Sequence, residues 1–139
     1  MRIGLRIMFV ATILLMALAL AGCGTPSIDR VDVTWEADPP PRWGLYPGYR
    51  QEIPCPKGAT YRADVYFKGK SFTGATIASV GNRLVFKPTA GSRDIEAQIV
   101  DGTHLNIYAT LHDENGKAHR QLALRIELLG DNISFEFPK

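Results

Sequence analysis

Hydrophobic and polar positions alternate along several segments of this chain, as they do in strands that bury one face. In the first half of the chain the alternating apolar positions are Val31, Val33 and Trp35, and then Tyr61, Ala63, Val65 and Phe67. The Gly81-Asn82 pair separates the segments 77–80 and 83–87 and favours a two-residue hairpin turn. No segment beyond residue 23 has the period of a helix, so the pattern predicts an all-β domain.

The last third of the sequence predicts a four-stranded antiparallel meander with three turns. We expect a loop at 100–102 with Gly102 in the left-handed conformation, a tight Asn115-Gly116 turn with both residues at positive φ, and a turn at Gly130-Asp131. These turns predict the pairs Ile95–Ile107, Ala97–Leu105, Ala109–Leu122, Ile107–Leu124, Leu105–Ile126, Leu128–Ile133, Ile126–Phe135 and Leu124–Phe137. Every apolar column then lies on one face. The N-terminal strands would cover that face, which predicts a small antiparallel sandwich or a closed barrel.

The same registers place polar side chains on the opposite face of the meander. One predicted row contains Glu96, Asn106, Arg125 and Glu136, and the next contains Gln98, His104, Glu127 and Ser134. The first row would form a charge ladder across neighbouring strands. Such a face is either solvated, with weak ion pairs, or a surface that binds a partner.

All three histidines are expected on this polar face, with His112 and His119 opposite each other beside the Asn115-Gly116 turn. Together with Asp113 they resemble part of a metal site. Zinc sites use three or four ligands, and two histidines without a clear third ligand do not meet that need. We therefore predict neither a metal nor a cofactor.

Six of the nine prolines lie in residues 38–57, which rules out a helix or a central strand there. We interpret this stretch as a long extended loop that carries Trp43, Tyr46 and Tyr49. These aromatic residues either pack the loop onto its own sheet or contact a partner. If the protein works by binding, the sequence favours this loop as the surface, and the polar face around Arg125 and Glu96 is the second candidate.

The N-terminal residues have the features of a secretory signal peptide. Arg2 and Arg6 provide a positive start, and the apolar segment 7–20 is shorter than the roughly 20 residues that span a bilayer. The segment ends in Leu20-Ala21-Gly22-Cys23, which resembles the lipobox of bacterial lipoproteins. We expect residues 1–22 to be the signal peptide, 23–28 a lipidated tether, and 29–139 one β domain.

The resemblance to bacterial lipoproteins implies that acyl chains such as palmitate are attached at Cys23 and that the chain is cut before it. Several acyl chains give lasting membrane attachment. In the enterobacterial sorting pattern an aspartate after the cysteine retains the protein in the inner membrane, and this chain has Gly24 there. The expected location is the cell envelope, at the outer membrane and facing the periplasm.

Removal of residues 1–22 lowers the count of Lys and Arg from 16 to 14, equal to the 14 Asp and Glu. Such a balanced charge argues against a nucleic-acid partner. With Cys23 lipidated, Cys55 has no cysteine to pair with. It is either a small buried hydrophobic residue or a reactive thiol.

Three functions compete at this point. The first is a binding or scaffolding lipoprotein of the envelope, with a protein partner and no catalytic residues. The second is an inhibitor of a wall-degrading enzyme, because the Thr-Ala-Gly-Ser-Arg segment 89–93 resembles the inhibitory loop of small lipid-anchored lysozyme inhibitors. The disulfide usual in that family cannot form here. The third is an enzyme, for which the sequence offers no nucleophile elbow, phosphate loop or zinc-protease motif.

Overall fold

A computed structural model describes residues 24–139, which form ten β-strands. The signal peptide, the lipobox and Cys23 lie outside the described residues. The strands are β1 Arg30–Trp35, β2 Arg42–Leu45, β3 Arg50–Pro54, β4 Thr60–Phe67, β5 Lys70–Val80, β6 Arg83–Pro88, β7 Ile95–Asp101, β8 His104–His112, β9 Ala118–Leu129 and β10 Asn132–Glu136.

The strands form two antiparallel five-stranded sheets that stack as an open sandwich. The first sheet has the order β2-β1-β4-β5-β6, and the second has the order β3-β10-β9-β8-β7. The all-β prediction is confirmed, and of its two alternatives the structure is the sandwich rather than the closed barrel. Between residues 24 and 139 there is no helix with the length and apolar character to cross a membrane.

The core fills the space between the two sheets. Tyr61 of the first sheet and Phe135 of the second are both fully buried, and their ring centroids lie 5.4 Å apart. The Tyr61 hydroxyl donates a hydrogen bond of 2.6 Å to the carbonyl oxygen of Pro54, which satisfies its polar end inside the core. The alternating apolar residues predicted for β1 and β4 form the side of the core that belongs to the first sheet.

Two of the predicted turns are confirmed. Val80 pairs with Arg83 across Gly81-Asn82, and Gly81 has a φ of 62°. On the other side, β9 and β10 pair Leu128 with Ile133 and Ile126 with Phe135, as predicted. The predicted Leu124–Phe137 pair is absent from this ladder, because β10 ends at Glu136 and the Phe137 N–H binds the Tyr49 carbonyl instead.

The β7–β8 register differs from the prediction by two residues. Ile95 pairs with Ala109 and Ala97 with Ile107, and Gly102 does not adopt a positive φ. The turn is tighter than expected, because the Asp101 carboxylate accepts a hydrogen bond of 2.8 Å from the Thr103 N–H. The register also shifts between Ile99 and Asp101, so that the intervening residue, Val100, has no partner on β8. A shift of two residues keeps each side chain on its predicted face.

The β8–β9 register contains a β-bulge that the sequence did not reveal. Leu105–Ile126 and Ile107–Leu124 are paired as predicted, but the register then shifts, and Ala109 lies opposite Gln121 rather than Leu122. The connecting loop is also wider than a two-residue turn: His112 pairs with Ala118, and of the Asn115-Gly116 pair only Gly116 has a positive φ. The bulge reverses the faces of residues 118–122 relative to the prediction.

The proline-rich segment is not a continuous loop, contrary to the prediction. It contains two short edge strands, β2 beside β1 and β3 beside β10. Edge positions tolerate prolines because one side of the strand needs no ladder partner, and Pro54 ends β3 in this way. Pro47 and Gly48 form the turn between the two strands, with Gly48 at a φ of 89°.

A glycine in β5 marks the closest approach within the first sheet. A Cβ atom at Gly74 would lie 2.7 Å from the Ala63 carbonyl oxygen and 3.0 Å from the Asp64 carboxylate. We expect Gly74→Ala to lower the free energy of unfolding by about 1–3 kcal/mol, because backbone must move to make room. Gly102→Ala is the matched control, since its nearest neighbours are Arg83 side-chain atoms at 3.5 and 3.6 Å. Urea titrations that give equal midpoints for the two variants would contradict this assignment.

Candidate functional site

The outer face of the second sheet carries a cleft of about 440 Å³. Strands β3, β7, β8, β9 and β10 all contribute to this face, and the cleft runs across them. The polar side chains that line the cleft are Arg50, His104, Asn106, Arg125, Glu127, Ser134 and Glu136. Both signs of charge are therefore present within one concave surface.

Ser134 and Arg50 form the ordered part of the cleft. Ser134 is only 3% exposed, and its hydroxyl accepts a hydrogen bond of 2.7 Å from Arg50 Nε. Arg50 Nη2 lies 3.1 Å from Glu52 Oε1. The arginine thus has two partners on the sheet, and half of its side chain is exposed.

The predicted charge ladder exists in part. Arg125 lies opposite both Asn106 and Glu136, and its guanidinium is 3.5 Å from the Glu136 carboxylate. Glu96 does not belong to this row, because the shifted β7–β8 register places it opposite Tyr108. It pairs instead with Arg120, whose guanidinium lies 3.7 Å above the Tyr108 ring. Glu96 and Arg125 therefore belong to separate ion pairs, contrary to the prediction.

His104 lies at one end of the cleft between two carboxylates. Its Nδ1 is 2.9 Å from Asp101 Oδ1, and its Nε2 is 2.9 Å from Glu127 Oε1. The hydrogen bond with Asp101, supported by Glu127, raises the pKa of His104. In return, His104 and the Thr103 N–H lower the pKa of Asp101 to about 2. The two carboxylates at this end of the cleft therefore favour the imidazolium form of His104.

The other two histidines are not opposite each other, contrary to the prediction. His112 pairs with Ala118, whereas His119 pairs with the buried Leu111 and so lies on the inner face. His119 Nε2 is 2.9 Å from Asp113 Oδ2, and His112 Nε2 is 3.6 Å from Asp94. Within residues 24–139 no group of three or more His, Cys, Asp or Glu is arranged to hold a metal ion.

The predicted aromatic residues occupy different environments. Trp43 lies on β2 opposite Val33 and packs partly buried against the core. Tyr46 and Tyr49 form the two ends of the β2–β3 turn and are 48% and 57% exposed. Their rings lie edge to face with centroids 5.6 Å apart. The structure thus separates the tryptophan, which stabilises the sandwich, from a pair of exposed tyrosines.

Cys55 is half-buried at the end of the sandwich opposite the β2–β3 turn. It lines a second hollow, of about 260 Å³, with Lys57 and Asn82. Burial raises the pKa of the neighbouring Tyr61 well above its usual range, and Cys55 adds to this effect. The 89–93 segment forms an exposed turn between β6 and β7, closed by a 2.9 Å hydrogen bond from the Ser92 N–H to the Thr89 carbonyl.

Arg50 and Ser134 show what sequence reasoning found and missed in this site. Ser134 was predicted on the polar face, and the structure places it there. Arg50 was hidden inside the proline-rich segment. The signal available was the alternation of Gln51 and Ile53 with the charged Arg50 and Glu52, which fits a half-buried strand.

The chain was also compared with protein-family models, curated proteins and solved structures, and none of the three comparisons gives a match. The geometry of the described residues is therefore the basis of the functional argument.

Proposed function

We propose that this protein is a lipid-anchored lipoprotein of the cell envelope that binds a protein partner without catalysing a reaction. The anchor is Cys23, supported by the resemblance of Leu20-Ala21-Gly22-Cys23 to a lipobox. The proposed location is the outer membrane, with the β domain in the periplasm. The partner-binding site is the cleft on the outer face of the second sheet.

The observation that carries the binding site is the held arginine in this cleft. Arg50 is hydrogen-bonded to the buried Ser134 and to Glu52, which reduces the side-chain freedom that a partner would have to restrict. Arginine is among the residues that dominate binding interfaces, because its planar donors suit carboxylates. Glu136 lies between Arg50 and Arg125 in one row across three strands, and Glu127 also lines the cleft. The cleft therefore fits a peptide segment that carries both acidic and basic side chains.

The cleft replaces the proline-rich segment as the preferred partner site for a structural reason. Trp43 is packed against the core, so of the three aromatic residues predicted to bind only Tyr46 and Tyr49 are largely exposed. The cleft instead combines concavity, fixed charge and residues from several strands of one rigid sheet. Binding sites built on strands are positioned more precisely than sites on loops.

The test is a capture experiment with the mature lipoprotein from detergent-solubilised envelope, with bound proteins identified by mass spectrometry. Arg125→Glu should reduce recovery of the specific partner about tenfold, the effect of losing about 1.4 kcal/mol. Lys87→Glu, on the exposed surface of β6 in the other sheet, makes the same charge change away from the cleft and should leave recovery unchanged.

Thermal melts would first establish that both variants fold as the parent does. Equal recovery with Arg125→Glu and with the parent protein would show that the cleft is not the partner site. Turnover of any captured wall component by the parent protein would contradict the non-catalytic assignment.

A further inference from the structure

Strand directions bring three exposed features to the same end of the sandwich. Arg30 at the start of β1 pairs with Tyr66 near the end of β4, and the next residue, Val31, pairs with Leu45 at the end of β2. The Tyr46–Tyr49 turn, the β4–β5 turn with Lys68 and Lys70, and the N-terminal segment that begins at Gly24 therefore share one end, which we term the anchored end. Since β2 and β4 both flank β1, their turns are about 10 Å apart.

The N-terminal segment is docked at this end. Ile28 is 2% exposed, and its N–H donates a hydrogen bond of 2.8 Å to Gln121 Oε1. Gly24 lines a hollow of about 200 Å³ together with Phe67 and Lys68. Cys23, the proposed lipidation residue, directly precedes Gly24 in the sequence. Acyl chains on Cys23 would therefore leave the protein beside the β4–β5 turn.

The exposed tyrosines are held in place by the end of the chain. The Gly48 N–H donates to the Phe137 carbonyl at 2.8 Å, and the Phe137 N–H donates to the Tyr49 carbonyl at 2.9 Å. Phe137 itself is fully buried, which fixes this turn to the core. Two neighbouring tyrosines, each about half exposed, are thus presented by a rigid turn. Tyrosine combines an apolar ring with a polar tip, a property that suits the boundary between lipid and water.

The β4–β5 turn adds positive charge to the same end. Lys68 and Lys70 are exposed on either side of Gly69, and the Lys68 ammonium lies 5.3 Å from the centre of the Phe67 ring. Two of the acidic residues at this end are hydrogen-bonded within the fold: Asp29 accepts a 2.7 Å hydrogen bond from the Gly69 N–H, and Asp113 accepts from His119 and from the backbone of its own turn. A third acidic residue, Glu114, lines the same hollow as Lys68. The lysines are thus presented outward beside the tether.

We propose that the anchored end lies directly against the phospholipid headgroups, with Tyr46 and Tyr49 in the interface and Lys68 and Lys70 near lipid phosphates. This inference rests on the proposed lipid anchor. The polar region of one leaflet is roughly 5–8 Å deep, which matches the reach of a lysine or tyrosine from a turn at the surface. The contact would hold the domain in one orientation, rather than letting it swing from a flexible tether.

The short distance to the anchor is what favours a lipid surface over a second protein at this end. A folded protein partner needs about 800 Å² of each surface. A bilayer that begins within a few ångströms of Gly24 would occupy that space. Anionic headgroups also complement the lysines, because basic residues close to a negatively charged lipid surface are attracted to it.

The test uses the full lipidated protein, purified in detergent and reconstituted into vesicles of phosphatidylcholine and phosphatidylglycerol. Some of the lipids carry bromine near the carbonyl end of the acyl chains, where it quenches nearby tryptophan. The reporter is Tyr49→Trp, with Tyr46→Trp as a second reporter if the first variant melts at a lower temperature than the parent. The matched control is Asn82→Trp on the β5–β6 turn at the opposite end. The signal of the native Trp35 and Trp43 is subtracted with the parent protein.

We expect bromolipid to quench Tyr49→Trp at least twofold and to leave Asn82→Trp unchanged. The double change Lys68→Glu with Lys70→Glu should weaken this quenching in vesicles with phosphatidylglycerol, whereas Lys57→Glu with Arg83→Glu, at the other end, should not.

Vesicles that sediment with the protein but leave Tyr49→Trp unquenched would overturn this inference and leave the anchor intact. Protein that remains in the supernatant would overturn the anchor itself. Quenching that is equal at both ends would show a domain without a fixed orientation and would also overturn the inference.

Discussion

Replacement of Leu124 by alanine is expected to lower the free energy of unfolding by about 2–5 kcal/mol. Leu124 is 0% exposed and lies opposite Ile107 in the middle of the second sheet. The smaller side chain would leave a cavity between the sheets, which neighbouring strands cannot collapse to fill. Urea unfolding followed by near-ultraviolet circular dichroism measures this loss directly.

Leu122→Ala is the matched control, because it removes the same atoms from the same strand. The bulge in β9 turns Leu122 to the outer face, where it is half-buried opposite Tyr108. We expect it to cost less than half as much as Leu124→Ala. Equal losses for the two variants would mean that both leucines face the core, which is the register without the bulge.

Replacement of Cys23 by alanine is expected to abolish lipid labelling and cleavage before residue 23. The thiol is the proposed attachment atom, and no other residue can substitute for it. Each methylene of an acyl chain contributes about 0.8 kcal/mol to membrane binding. A variant without any acyl chain therefore loses the whole contribution of the lipid to membrane attachment. Metabolic labelling with radioactive palmitate and gel mobility of the precursor are the two measurements.

Cys55→Ala removes the other cysteine and serves as the control, which should be labelled and cleaved as the parent is. An uncleaved precursor can stay in the membrane through its apolar segment, so fractionation alone does not decide the matter. Processing of Cys23→Ala at the same position, with unchanged membrane attachment, would refute the lipoprotein assignment.

The hydrophobic pattern was sufficient to predict the all-β class and the inner face of most strands. Its register errors lie between β7 and β8 and between β8 and β9. In β9 both Leu122 and Leu124 are apolar, so alternation alone does not reveal that an extra residue turns one of them outward. In β7 the error of two residues arose because Asp101 tightens the turn through a side-chain hydrogen bond. Neither the bulge in β9 nor the tight turn after β7 alters the alternation of apolar and polar residues from which the registers were predicted.

The candidate site was predictable only where it lies on the meander. His104, Arg125, Glu127, Ser134 and Glu136 all lie on the face to which the sequence assigned them. Arg50 comes from a segment whose prolines argued against a strand, and its position depends on pairing with β10, far away in the chain. Long-range pairing of this kind is fixed by tertiary contacts and leaves only a weak local signal.

The two proline-flanked edge strands have a consequence for crowding. Proteins anchored in one membrane by the same end share an orientation, so the edges of neighbouring sheets meet side by side at high local concentration. Strands β2 and β3 are short, carry Arg42, Arg50 and Glu52, and end beside prolines, all of which oppose pairing between sheets. On the other side of the sandwich the edge strands are β6 and β7. The irregularity in β7 interrupts one of these edges, and the Leu84 N–H of β6 donates a hydrogen bond to the Gly102 carbonyl. These features therefore oppose edge-to-edge pairing between copies on the membrane to which we propose the domain is anchored.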